Sequence, residues 1–139
     1  MTTAADLMHE GAQWVTADET LEDVARMMRD LGVGAVPVSG DDERMCGIIT
    51  DRDIVVECVA AGRDPSQVAA SELCKGTPRW ISADAGVAEV LREMQTHQIR
   101  RLPVIDGDKR LVGMISERDL ADRLSEAQIA EFVAGVYAR

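Results

Sequence analysis

Two short motifs carry the side chains best suited to chemistry. One reads Gly47-Ile48-Ile49-Thr50-Asp51-Arg52-Asp53 and the other Gly113-Met114-Ile115-Ser116-Glu117-Arg118-Asp119. Each sets a hydroxyl three residues before a carboxylate, where an apolar run gives way to a charged one. Thr50 with Asp53, and Ser116 with Asp119, fit a capping box, in which hydroxyl and carboxylate satisfy free backbone N–H groups at a helix start. An aspartate there also complements the positive end of the helix. The same carboxylate can accept both hydroxyls of a ribose diol, as the acidic residue of a dinucleotide site does. From one such motif the cap is the better reading, because short motifs match by chance. Arg52 and Arg118 stand in the first turn, where a cation opposes the helix dipole, and this favours a role towards an anion. Arg100-Arg101 precedes Leu102-Pro103. Guanidinium geometry suits a phosphate, although a solvated arginine pair contributes little by itself. Adjacent strand residues point to opposite faces, so only one of these two arginines can serve a given cleft.

Other reactive residues are sparse. Cys46, Cys58 and Cys74 are an odd set without metal-type spacing. Cys46 falls where the second motif's strand has Val112, which reads as a small buried hydrophobe. A zinc site would need ligand pairs that are missing, since His9 and His97 stand alone. No nucleophile–histidine–acid set is recognisable, and Asp53 and Asp119 fit caps or diol acceptors better than a general acid and base. Neither a metal, a required cofactor nor a catalytic residue is expected.

The motifs belong to a longer repetition, and such repeats decide the fold. Trp14 and Trp80, Pro37 and Pro103, Gly47 and Gly113, and Asp53 and Asp119 are each 66 residues apart. Two copies are too few for a solenoid, whose units need several neighbours. They more naturally face each other around a pseudo-twofold axis, with a ligand at the shared interface. The copies differ at one informative place: Gly34-Ala35 stands where the second has Arg100-Arg101.

The elements that must position these residues follow from periodicity. Leu21, Val24, Ala25 and Met28 mark one face of a helix, as do Val87, Val90, Leu91 and Met94. Thr20 with Asp23 predicts its start and Gly32 its stop. Apolar runs with an internal proline, 33–38 and 99–105, predict strands at an edge or with an irregular start, because proline cannot donate to a ladder. Turn clusters at 40–43 and 106–109 lead into second strands, 45–50 and 111–116, so each pair reads as a hairpin. Second helices begin at Thr50 and Ser116. The expected fold is α/β: two β-α-β-β-α repeats, 1–62 and 67–125, in a single 1–139 module. Gly62-Arg63-Asp64-Pro65 is the linker, and a C-terminal helix occupies 126–139, capped by Ser125 and Gln128. Its stripe of Ile129, Phe132, Val133 and Val136 needs a partner surface, either its own domain or a second subunit.

The chain has 139 residues and a formal net charge of −10. That is enough for one buried core, and the two copies use nearly all of it, so any output is expected to pass through a separate protein. The acidic balance argues against nucleic acid, whose binding needs phosphates neutralised by Lys and Arg, and against an anionic membrane. No basic segment followed by an apolar run marks a signal peptide, and no apolar stretch reaches membrane-spanning length. A soluble, reduced, cytoplasmic protein is expected.

The doubled order of strand, helix, apolar-Pro-Val and Gly-x-x-Thr/Ser-x-x-Asp resembles a pair of cystathionine-β-synthase (CBS) domains, a Bateman module. The resemblance covers about 5–125. Thr2-Thr3-Ala4, Gly40-Asp41-Asp42, Thr50-Asp51-Arg52-Asp53-Ile54-Val55 and Ala60-Ala61-Gly62 are especially similar to small stand-alone actinobacterial members, the hypoxic response protein 1 group. The resemblance implies a regulatory module that senses AMP, ADP, ATP or S-adenosylmethionine, forms a homodimer and acts on an effector protein in trans. It implies that Asp53, Asp119, Thr50 and Ser116 meet ribose. Val15, Thr16, Val36 and Ile48 would meet adenine, as would Ile81, Ser82, Leu102 and Met114 in the other copy. Arg100, Arg101, Arg118 and Arg52 would meet phosphate, with the Asp53 cleft favoured because Gly34 and Ala35 offer no cation. The alternative is a ligand-independent dimeric stress or interaction protein, whose repeats serve architecture only.

Overall fold

The computed structural model of the chain describes residues 1–10, 13–40, 44–74 and 79–138. A helical turn, Ala4–Leu7 (α1), and a short strand, His9–Glu10 (β1), come first. Val15–Thr16 (β2), Leu21–Leu31 (α2), Ala35–Ser39 (β3), Met45–Thr50 (β4) and Asp51–Ile54 (α3) follow. A π-helical stretch, Val55–Val59, continues α3, and 3₁₀ turns form at Pro65–Gln67 and Ala70–Leu73. The second copy gives Ile81–Ser82 (β5), Val87–His97 (α4), Arg101–Ile105 (β6), Leu111–Ser116 (β7) and Glu117–Arg123 (α5). The last helix is Glu126–Val136 (α6). The chain is thus α/β with two repeats, as expected. Asp41, Asp42 and Glu43 of the first hairpin turn lie outside the described residues.

One unit comprises Gln13–Pro78. Its sheet has the order β2-β3-β4, with β2 parallel and β4 antiparallel to β3. The helix α2 lays Leu21, Val24 and Met28 on this sheet and buries them with Val15, Val36, Val38 and Ile49. Thr20 and Asp23 form the expected capping box, and Gly32 ends the helix in the left-handed region at φ 67°. A side chain would be strained there.

The other unit joins Met1–Ala12 to Arg79–Arg139. Its sheet has the order β1-β7-β6-β5, and its core holds Leu7, Val90, Met94, Leu102, Val104 and Ile115. Here α6 packs on α4 and buries Phe132 and Val136 within its own chain, whereas Val133 of the C-terminal stripe stays 45% exposed. The helices approach closely at Gly135, where a Cβ would lie 2.8 Å from Gln95 Cγ.

The packing units are not the sequence repeats, because each copy's first segment belongs to the other copy's unit. Ala4 N donates to Ala85 O at 2.7 Å and Ala5 N to Ala83 O at 3.1 Å. Their counterparts are Ala70 N to Glu19 O at 2.7 Å and Ser71 N to Ala17 O at 2.9 Å. The motif glycines make room for these segments. A Cβ on Gly47 would stand 2.9 Å from Cys74 Sγ, and one on Gly113 would stand 2.5 Å from Met8 Sδ.

The prolines depart from expectation. Pro37 and Pro103 lie in β3 and β6, the central strands of their local ladders, opposite Ile48 and Met114. They are tolerated because β2 and β5 pair only with Val38–Ser39 and Val104–Ile105. No residue of either short strand stands beside the proline, so no ladder bond is forfeited on that side.

Candidate functional site

Both motif turns fold as capping boxes. Thr50 N donates to Asp53 Oδ2 at 2.8 Å, and Asp53 N donates to Thr50 Oγ1 at 3.1 Å. In the second copy Ser116 N and Ser116 Oγ donate to Asp119 Oδ2 at 2.8 and 2.9 Å, and Asp119 N reaches Ser116 Oγ at 3.4 Å. The cap and the diol reading are compatible, because an ionised carboxylate has about four acceptor positions on two oxygens. The hydrogen bonds to both aspartate carboxylates from their own turns fall on Oδ2.

Asp53 borders a cleft of about 420 Å³ with Ile48, Arg52, Val56, Glu57 and Leu73. That volume falls in the range of small-molecule sites. Ile48, Arg52 and Asp53 are sequence expectations brought together here. Val56 and Glu57 were missed, although they lie four residues after Arg52 and Asp53 on a helical face. Leu73 gave no signal, because it arrives through the exchanged segment of the second copy.

The other expected residues divide by burial. Thr16 and Ser82 are exposed. Thr16 Oγ1 donates to Asp18 Oδ1 at 2.6 Å, which holds the Asp18 carboxyl below the usual carboxylate range. Ser82 Oγ accepts from Asp84 N at 3.3 Å. Val15 and Val36 are committed to one core, and Ile81 and Leu102 to the other. Met114 is also buried. Arg118 is exposed, and Arg101 opens β6 opposite Ser116. Arg100 lies over the Tyr137 ring, 5.7 Å from its centroid, and donates to Tyr137 Oη at 3.1 Å. Tyr137 Oη in turn donates to Glu117 Oε1 at 2.9 Å.

Histidine and cysteine are less isolated than their spacing suggests. His9 Nδ1 lies 2.7 Å from Asp119 Oδ2, a contact made by β1 joining the second copy's sheet. His97 Nε2 is 3.5 Å from Glu93 Oε1. Cys46 Sγ and Cys74 Sγ are 3.6 Å apart, and all three cysteines are free thiols. Burial, then the neighbouring Cys46, pushes the Cys74 thiol up to about 12. Among the described residues no helix is long and apolar enough to cross a membrane.

The chain matches the CBS domain family over residues 4–59 and 70–126. It is 44% identical to Hypoxic response protein 1 of Mycobacterium tuberculosis, over 98% of this chain and 94% of that protein. A crystal structure of Hypoxic Response Protein I with two coordinated zinc ions matches with a TM-score of 0.80 and 44% identity, covering 89% of this chain and all of the other. Among the described residues no three His, Cys, Asp or Glu side chains are grouped to hold a metal ion. The fold is also that of a CBS domain protein from Pyrobaculum aerophilum complexed with AMP, with a TM-score of 0.80 at 22% identity over 96% of this chain and 99% of that one. Two family matches at the spacing of the internal repeat, with an identity that runs nearly end to end, place the chain in the CBS-domain family as a tandem pair.

Proposed function

We propose that the chain is a non-enzymatic regulatory module that binds an adenosine-containing ligand, AMP, ADP, ATP or S-adenosylmethionine, and acts on a separate effector protein. The observation that carries this reading is Asp53. Its carboxylate is held by the turn through Oδ2, at the rim of a cleft it shares with Ile48 and Arg52. A positioned carboxylate suits a ribose diol, and a neighbouring guanidinium suits a phosphate. The AMP complex of the Pyrobaculum aerophilum protein supports this ligand class. Asp119 with Ser116 is the matching pair in the second copy. Of the arginine pair, Arg101 is the better phosphate ligand, because Arg100 is engaged by Tyr137. Thr16 and Ser82 offer exposed polar groups to a base. The module works as a homodimer in the cytoplasm.

Thermal unfolding with and without AMP tests the reading. A ligand at 100 times its dissociation constant stabilises the fold by about 2.7 kcal/mol. Asp53→Asn should weaken AMP by about 1.5–3 kcal/mol, the worth of a charge-assisted hydrogen bond. Equal binding by wild type and variant returns Asp53 to a purely capping role. A second reading, a ligand-independent interaction protein, is favoured by one feature. Val55, Val56 and Val59 are 58%, 47% and 60% exposed along one helical stretch, an apolar row that suits a protein contact. Absence of any shift with AMP, ATP or S-adenosylmethionine, together with a stable dimer in sedimentation, would select it.

A further inference from the structure

We propose that His9 occupies the Asp119 carboxylate and so confines nucleotide binding to Asp53, giving one nucleotide per chain. This rests on the nucleotide reading above and deepens it. The two motif aspartates are alike in sequence but not in what their oxygens already accept. Asp119 Oδ2 receives Ser116 N at 2.8 Å and Ser116 Oγ at 2.9 Å, and faces His9 Nδ1 at 2.7 Å. Asp53 Oδ2 receives Thr50 N at 2.8 Å, and the Thr50 hydroxyl accepts from Asp53 N. A carboxylate oxygen has two lone pairs. A vicinal diol held in two-point fashion gives one O–H to each oxygen. Among the described residues Asp53 has positions left on both oxygens, whereas Asp119 Oδ2 has three donors and none to spare.

The histidine is held in place by backbone as well as by its side chain. His9 pairs with Met114 and Glu10 with Gly113 in the β1–β7 ladder. Gly113 admits this approach, since a Cβ there would lie 2.8 Å from His9 O. Both the Nδ1–H tautomer and the imidazolium donate from Nδ1, so the contact does not require a charged ring. A nucleotide reaching Asp119 must displace this donor, and its affinity there falls by on the order of ten- to a hundredfold relative to Asp53. The second copy carries Lys75 at the position matching His9, outside the described residues.

Native mass spectrometry of the full chain, at an AMP concentration just sufficient to fill the Asp53 position of the wild type, tests the inference. Wild type should hold one AMP per chain, Asp53→Asn none, and His9→Ala two. Adding Asp119→Asn to His9→Ala should remove the second. Two AMP on the wild type, one AMP retained by Asp53→Asn, or a folded His9→Ala chain that still holds one, each overturns it. The Asp53→Asn arm keeps His9 intact, so it decides the matter even where His9→Ala does not fold. If the wild type takes no AMP at all, the nucleotide reading itself falls and this inference with it, a result distinct from the others.

Discussion

Adding one methyl group at Gly113 probes how the N-terminal segment is held in the second copy's unit. A Cβ there would lie 2.5 Å from Met8 Sδ, 2.9 Å from Met8 Cγ and 2.8 Å from His9 O. The thioether can swing aside, but the carbonyl belongs to β1 and cannot move without disturbing the ladder to β7. Two responses compete. If the segment stays docked and the strands part slightly, overpacking costs about 1–3 kcal/mol. If it undocks, burial of Leu7 is forfeited, about 1.5–3 kcal/mol. The bonds from Ala4 N and Ala5 N go with it, at about 0.5–1.5 kcal/mol each. Local strain is therefore the cheaper response, and Gly113→Ala should destabilise the fold by about 1–3 kcal/mol with the segment still in place. With a urea m-value of about 2 kcal/mol/M for a small protein, the midpoint should fall by roughly 0.5–1.5 M. Limited proteolysis should leave residues 1–10 protected in native buffer. Gly47→Ala should cost less, since its nearest contact is the Cys74 Sγ at 2.9 Å, with backbone no closer than 3.2 Å. An unchanged midpoint for Gly113→Ala, or greater damage at Gly47, would refute the reasoning.

Phe132→Ala should destabilise the monomeric fold by about 3–5 kcal/mol in chemical denaturation, because α6 is buried against its own unit; a loss that depends on protein concentration would instead place the helix between subunits. Cys74 should react with iodoacetamide at pH 8.5 more slowly than a thiol of the urea-unfolded chain, as peptide mass spectrometry can read. Its folded pKa is raised from about 9 to about 12. The stabilisation it contributes is therefore fully present below pH 9 and is lost as pH rises towards 12. A Cys74→Ser chain should show a shallower alkaline loss of stability.

Much of the architecture is local chemistry and was legible in the sequence. The helical stripes and the caps at Thr20, Thr50, Ser116 and Ser125 depend on neighbours within a few positions, and all four capping boxes form; the repeat is the same local pattern written twice. The family likeness rests on the same short-range patterns. The tertiary structure decided matters that involve partners far apart along the chain. Exchange of the first segments puts His9 against Asp119 and Cys74 against Gly47, and no periodicity registers a contact across so many residues. The prolines sit in central strands because β2 and β5 are too short to reach them. Arg100 is captured by Tyr137 at the far end of α6. Val15, Val36, Ile81 and Leu102 turn into the cores, since strand alternation fixes which residues share a face but not which face is covered. What the sequence determined by itself is the pair of motifs and the elements that carry them. What only the fold decided is that two nearly identical aspartates have different neighbours, because hydrogen-bond capacity is filled by whatever the chain's long-range packing brings within 3 Å.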